Sequence, residues 1–506
     1  MDKEVLINAG AVELRVAVVE DGRLQELFLE RLARPEAEGA RLRPLGRGGQ
    51  SLIGNIVLGR VQRVLPGMQA AFVDIGLDRA GFLGAREARC LAGLPGFEEE
   101  RAPRISECVR EGEEVLVQIV KDPIGEKGAR VSANVTLPGR LLVLVPNQRG
   151  VALSRRIEDE AERERLTELC KTLLIDGTGS ADVGYIIRSA AIGAKLGDLR
   201  QDAERLAGAW RPVQQRRKHA RAPATLYHDL DPIERTMRDE VDAETSRVVV
   251  DDRQALNAAR AYCRRVMPAA ENIIELYDGP GALFDSYGLE DEIATLIEPR
   301  VPLPSGGWIT IEGTEALTAV DVNSGSYTEA TGLEETSLRV NLEAAAEIGR
   351  QLRLRGIGGL VVIDFIHLNQ PENIEHVLTV LHSSLAHDRT PTQISGMSEF
   401  GLVEITRKRT RDPLVKLMTE CCTPCRASGR RRTAESIALE GVRQIERAGK
   451  AAPGACVIAR AAPDVIRWIK RHEDEIRGGL ARRGAARVEF EAGDELDRNR
   501  FDVSTR

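Results

Sequence analysis

In the stretch Leu317 to Thr328, LTAVDVNSGSYT, a strand-like apolar segment delivers a carboxylate at Asp321 and, two residues on, an amide at Asn323. Side chains alternate along a strand, so Asp321 and Asn323 face one way while Val320 and Val322 face the packing. A second acid, Asp364, stands inside the apolar run LVVIDFI. A carboxylate is costly to bury in such a run unless it is paired or bound to a cation. If Asp321 and Asp364 converge with Asn323 beside them, the set suits Mg²⁺, which takes one or two carboxylates, keeps several waters and gains phosphate oxygens. That chemistry is metal-assisted phosphodiester hydrolysis. The alternatives are a turn that Asp321 starts and the NSGS run punctuates, and an Asp–Arg pair or a cap.

Cys422 and Cys425 form a C-x-x-C within CTPCRASG, and Cys421 directly precedes them. A structural zinc site wants four ligands, and neither a second C-x-x-C nor an H-x₃-H occurs in the chain. Two readings remain: a thioredoxin-like redox pair, or half of a tetrathiolate Zn²⁺ site completed by the same motif of another subunit. No βαβ thioredoxin pattern surrounds the motif, which favours the shared site and a homodimer at least.

The elements that must position these groups are legible from pattern. Residues 4–31 alternate apolar and polar residues around EDGR, a hairpin signal. After a Gly/Arg-rich interruption at 38–50, Gly- and Pro-punctuated short strands suggest a small barrel, with EEVLVQIVKD as a later strand. Phe72 and Phe82 fall on neighbouring strand segments of that barrel with Arg79 between them. An OB-type barrel stacks bases on such rings beside basic residues, although two core phenylalanines would give the same pattern. Residues 156–176 and 196–220 read as charged helices flanking GYIIRSAAIG. There Arg188 and Ser189 set a guanidinium and a hydroxyl before a run of backbone amides, a plausible phosphate pocket.

From about residue 297 the pattern becomes strand, helix, strand, helix. One helical face carries Leu338, Leu342, Ala345, Ile348 and Leu352 and stops at Gly356. GGLVVIDFIHL follows as a near-continuous apolar strand, the mark of a buried central position. A second helix spans 371–387, with Pro371 near its start.

A chain of 506 residues is too long for one ordinary core, so two to four domains are expected. The charged opening Met1-Asp2-Lys3-Glu4 argues against a secretory signal, and no apolar run approaches the ~18 residues of a membrane span. The cysteines do not form a disulfide framework, so a cytoplasmic location is expected. A net charge of −7 argues against a general polyanion binder, so any nucleic-acid role must come from local patches. Three basic runs are candidates: 211–223, RKRTR at 407–411 and GRRR at 429–432, each of which could equally be a solvated face.

Four motifs carry a resemblance: LPSGGWITIEGTEALTAVDVNSG, NLEAAAEIGRQLRLRGIGGLVVIDFI, QISGMSEFGLVEITRKR and the C-x-x-C after it. With them, most of residues 1–430 resembles the ribonuclease E/G family of bacterial endoribonucleases. The resemblance implies that Asp321 and Asp364 are magnesium-binding catalytic aspartates assisted by Asn323, and that Phe72, Phe82 and Lys121 contact RNA. It implies a 5′-monophosphate sensor at Arg188 and Ser189, where serine replaces threonine, and zinc-link cysteines at Cys422 and Cys425. Three departures stand out: His367 where ribonuclease E carries another acid, Glu399 in place of an arginine, and Pro391 where an arginine helps the 5′-phosphate pocket. They bear on 5′-end sensing more than on cleavage.

The expected fold class is a multidomain α+β and α/β chain. An RNase H-like subdomain from 1–35 and 234–296 receives an OB-fold barrel at 36–127. A 5′-sensor region at 128–233, a DNase I-like catalytic subdomain at 297–418, a zinc-link at 419–431 and a small C-terminal oligomerisation domain at 432–506 complete it. Its length suits a short, ribonuclease G-like member without the long arm of ribonuclease E. The expected activity is Mg²⁺-assisted cleavage of single-stranded RNA, leaving 5′-phosphates and favouring 5′-monophosphorylated substrates, in rRNA processing and RNA decay. The expected assembly is a zinc-shared homodimer or a homotetramer. The rivals are a noncatalytic RNA-binding scaffold and a thiol-redox protein.

Overall fold

The computed structural model describes residues 2–11, 13–31, 52–93, 103–123, 128–146, 148, 150–154, 156–175, 183–325, 332–386, 388–422, 425, 429, 431–482, 487–494 and 496–506. The Gly/Arg-rich run at 38–50 and the end of the Asp321 stretch beyond Gly325 lie outside them. Two compact units result, Met1–Leu417 and Met418–Arg506.

In the first unit, strands Glu13–Glu20 and Arg23–Arg31 form the hairpin that the EDGR pattern requires. Asp21 and Gly22 turn with φ of 48° and 75°, the left-handed conformation that suits a two-residue connection between right-twisted strands. The hairpin joins Lys3–Ala9, which pairs in parallel with Thr245–Val250, itself parallel to Ile274–Leu276. Alternation along Lys3–Ala9 sends Val5 and Ile7 into one core and Leu6 into another, so this sheet is covered on both faces.

A closed five-stranded, OB-like barrel comes next. Ile56–Leu65 pairs with Ala70–Asp74, then Gly81–Gly84, Arg130–Ser132 and Glu114–Lys121 follow, and the last returns to Ile56–Leu65. Closure leaves no free edge inside the ring. Its interior holds Val57, Val61, Val73, Leu83, Val117 and Val131. Gly59 is required there: a Cβ would stand 2.5 Å from Val73 Cγ1. The small sheet at 137–187 packs against helices Glu160–Ile175 and Leu196–His219 around Tyr185 and Trp210.

The acids belong to a six-stranded sheet in the order Arg300–Pro302, Trp308–Gly313, Leu317–Asn323, Gly359–Asp364, Leu402–Arg407 and Thr392–Ile394. Leu317–Asn323 and Gly359–Asp364 are parallel neighbours joined through helix Leu333–Leu354, as a parallel pair requires a long crossover. Helix Pro371–Leu385 packs beside that crossover helix, so closely that a Cβ on Gly349 would lie 2.1 Å from Ser384 Oγ. Both helices cover the same face of the sheet. The apolar run at 359–364 is therefore central in hydrogen bonding but open on one side, contrary to its reading as a buried strand: Leu360 is 37% exposed.

The basic run at 407–411 is not a solvated face throughout: Lys408 and Arg409 are exposed, whereas its two ends are engaged within the chain. Arg407 is buried in a bidentate pair with Asp388 at 2.6 and 3.1 Å, and Arg411 stacks on Phe28 at 4.5 Å while donating to the Arg353 carbonyl at 2.7 Å. The run at 211–219 is solvent-facing along its helix except at Val213.

The second unit holds a three-stranded sheet in the order Val488–Ala492, Val457–Ala461, Phe501–Thr505, with helices Ala434–Ala451, Pro463–Arg471 and Glu473–Arg482. Among the described residues no helix is long and apolar enough to cross a membrane.

Candidate active site and RNA-facing surface

Asp321 and Asp364 are direct register partners on neighbouring parallel strands, which places their Cα atoms about 5 Å apart and their side chains on the same face. Val320, Val322 and Ile363 point into the core, and both carboxylates are exposed on the open face. They stand at the C-terminal ends of their strands, where open α/β sheets bind ligands. Asn323 completes the constellation by donating from Nδ2 to Asp321 Oδ2 at 2.8 Å. That bond engages one of the two carboxylate oxygens of an exposed side chain.

Two residues not singled out in the sequence hold the chain just past Asp364. Asn341, fully buried on helix Leu333–Leu354, donates to the Ile366 carbonyl at 2.7 Å and accepts from the Ile366 N–H at 3.0 Å. Glu334, in the first turn of the same helix, accepts from the Asn369 N–H and side-chain amide at 3.1 and 2.9 Å and from the Asn373 amide at 3.0 Å. The Asn369 and Asn373 side chains, helped by the Asn369 and Gln370 backbone N–H groups, hold its carboxyl down to about 2. Asn341 carried a usable signal: it lies on the apolar face of its helix, three residues from Leu338 and four from Ala345.

The donor set discriminates between metals. Among the described residues no group of three or more His, Cys, Asp or Glu side chains could cage an ion. Two exposed carboxylates with an amide beside them do fit a hydrated hard cation such as Mg²⁺, whose remaining positions go to waters and phosphate oxygens. They do not fit a zinc site, which needs more protein ligands.

On the barrel, cross-strand register assembles a row that the sequence only hinted at: Arg63, Phe72, Phe82, Arg130 and Lys121 are successive partners over five strands. Their neighbours Ala71, Val73 and Leu83 point inward, so Phe72 and Phe82 are outside the barrel core, half-buried against each other edge to face at 6.0 Å. Arg63 and Lys121 are exposed, and Arg130 is held by Glu87 at 2.7 Å. Aromatic faces flanked by cations are the makings of a single-strand platform. Arg63 and Arg130 were invisible in the sequence because only pairing brings them into the row. Arg79, between the two rings in sequence, sits in the turn outside these strands.

Arg188 and Ser189 lie where strand Gly184–Ile187 ends. The Arg188 guanidinium is not idle: it donates to the Gly139 carbonyl at 2.5 Å and to Asp239 Oδ1 at 3.0 Å. Burial would push the Asp239 carboxyl up, but Arg238 and Arg188 together hold it below the usual range.

A sequence profile described as the Ribonuclease E/G family matches residues 136–410. Ribonuclease G of Escherichia coli (strain K12) is 40% identical over 480 residues, covering 94% of this chain and 93% of that protein. Ribonuclease G of Salmonella typhimurium (strain SL1344) is 38% identical over 510 residues, 99% of each chain. The chain belongs to the ribonuclease E/G family. Ribonuclease E of Haemophilus influenzae, 37% identical over 447 residues, matches 88% of this chain but 46% of its own length. As a family member, this chain therefore aligns with 93% and 99% of those two ribonucleases G and with about half of that ribonuclease E.

Within this ribonuclease E/G family member, the departures occupy open positions. His367, Pro391 and Glu399 are all exposed, the first in the loop after Asp364 and the last in the turn before strand Leu402–Arg407. Cys421 and Cys422 are exposed ahead of helix Ala434–Ala451, with Cys425 half-buried, and no disulfide joins the described cysteines.

Proposed function

We propose that this ribonuclease E/G family member is an endoribonuclease that hydrolyses single-stranded RNA at the Asp321–Asp364 face, leaving 5′-phosphate and 3′-hydroxyl ends. The observation that carries the reading is the in-register pairing of the two acids on an open sheet face, within a chain of this family. Asp321 and Asp364 would hold Mg²⁺, and Asn323 orients the Asp321 carboxylate through its amide. Bound there, the ion supplies an acidified water and offsets the charge that grows on the phosphate. Asn341 and Glu334 keep the Asp364 strand end from shifting, since both grip the backbone immediately beyond it. In the reaction a water oxygen bonds to phosphorus while the P–O3′ bond breaks, and the departing 3′ oxygen takes a proton.

The barrel row binds the strand, with bases on Phe72 and Phe82 and phosphates near Arg63 and Lys121. Arg188 and Ser189 form the proposed 5′-monophosphate pocket. The Asp239 pair makes a phosphate compete with a carboxylate for the same guanidinium, and Pro391 withholds a second cation, so 5′-end discrimination is modest. The strand order of the sheet containing Lys3–Ala9, three antiparallel strands followed by two parallel ones, supports an RNase H-like subdomain, and the six-stranded sheet is assigned the DNase I-like role. Cys422 and Cys425 supply two thiolates of a zinc site shared with a second copy, in a homodimer or homotetramer working in the cytoplasm on rRNA processing and RNA decay.

Incubating the protein with end-labelled RNA and Mg²⁺ tests the reading. Asp321→Asn should abolish cleavage while RNA affinity stays nearly intact, and chelation should split the oligomer. Full cleavage by that variant would remove the assignment. Wild-type binding without cleavage would leave a noncatalytic RNA-binding protein.

A further inference from the structure

Phe400 is 83% exposed, against 63% for Met68 and 57% for Ile192, the next most exposed large apolar side chains among the described residues. The other seven described phenylalanines are buried or half-buried. A benzyl group left in water at a fixed position forgoes the burial that normally holds Phe in a fold. Its position is fixed. Gly401 N–H donates to the Ser398 carbonyl at 3.0 Å, Ser398 N–H donates to the Leu402 carbonyl at 2.9 Å, Leu402 N–H donates to Ser398 Oγ at 3.2 Å, and Gly401 takes a φ of +80° to close the turn.

This turn is tied to the acid site. The Gly401 carbonyl accepts from the Phe365 N–H at 3.3 Å, and Leu402 is the register partner of Asp364. One backbone hydrogen bond therefore separates the residue after Asp364 from the residue after Phe400. Beside this turn stand the exposed carboxylates Asp321, Asp364, Glu399 and Glu404, while the exposed cation of the same register row, Arg300, lies two strands beyond Asp321 and stacks on Trp308. Next to these carboxylates the Phe400 ring offers a contact that is indifferent to charge. Stacking on a base is that contact, because every base offers a π-face.

We propose that Phe400 is a positioning residue that stacks on a base flanking the scissile phosphate. The proposal rests on the reading that Asp321 and Asp364 hydrolyse RNA. Stacking there orients the phosphodiester over the acids without adding charge.

The test is a cycle between the ring and the base. A single-site oligoribonucleotide is compared with versions in which each base beside the scissile bond is replaced in turn by an abasic ribose. Wild type, Phe400→Ala and Phe400→Trp are read for kcat/KM and for equilibrium binding of the same RNAs. On intact RNA, Phe400→Ala should lose about tenfold or more, while Phe400→Trp stays within about twofold of wild type. On one of the abasic RNAs, Phe400→Ala should match wild type. Equal losses on every RNA, or no loss at all, would overturn the proposal. A change in oligomer size without base dependence would overturn it too, by giving the ring to a second copy of the chain. Failure of wild type to cleave removes the hydrolytic reading instead, and the binding cycle still decides the stacking.

Discussion

Asn341 grips Ile366 by both ends of its amide, donating at 2.7 Å and accepting at 3.0 Å, two residues beyond Asp364. A buried polar side chain on an otherwise apolar helix face is tolerated because both of its hydrogen-bonding functions are used.

Asn341→Ala should therefore leave the Ile366 N–H and carbonyl without their partner and open a small void. The expected loss is about 3 kcal/mol of unfolding free energy in a urea titration. Catalysis should fall further than binding, since the Asp364 strand end loses its anchor. A loss below about 0.5 kcal/mol would show that the clamp is dispensable.

Glu240 is 8% exposed, and burial raises its carboxyl to about 7, with Glu26 and Asp239 adding to the rise while Arg389 and Lys3 oppose it. The folded chain thus keeps a proton that the unfolded chain releases near 4.5. Stability on this account falls as pH rises from about 4.5 to 7 and levels off above, a change on the order of 3 kcal/mol. Glu240→Gln removes that fall while retaining an acceptor for Arg389, so denaturation midpoints at pH 5 and pH 8 should draw closer together than in wild type. An unchanged difference between the two pH values would refute the assignment.

The barrel row separates stacking from charge. Phe72→Ala should weaken binding of a single-stranded oligonucleotide by about 1–3 kcal/mol with no change in its salt dependence. Arg63→Ala should instead flatten the slope of log affinity against log salt by about 0.7. If both variants behave alike, the row is not a combined platform.

Much of this fold is legible in the sequence. The EDGR hairpin, the barrel's punctuated strands and the helices ending near Gly356 and starting at Pro371 follow from local rules of period, turn and cap, which act over a few residues. The two acids were legible as anomalies in apolar strands. The basic run at 407–411 marks where local rules stop: a string of cations looks identical whether it meets water, as at Lys408, or a buried Asp388, as at Arg407.

By itself the sequence determined the family, the element types and the residues able to do chemistry, because those reside in residue identity and short-range spacing. Only the tertiary structure decided that Asp321 faces Asp364, that Arg63 and Arg130 flank the barrel rings, and that Arg188 is already engaged by Asp239. Each of these depends on strand register or on contacts between distant segments. Such pairings are selected by the summed burial of whole sheets rather than by any local pattern.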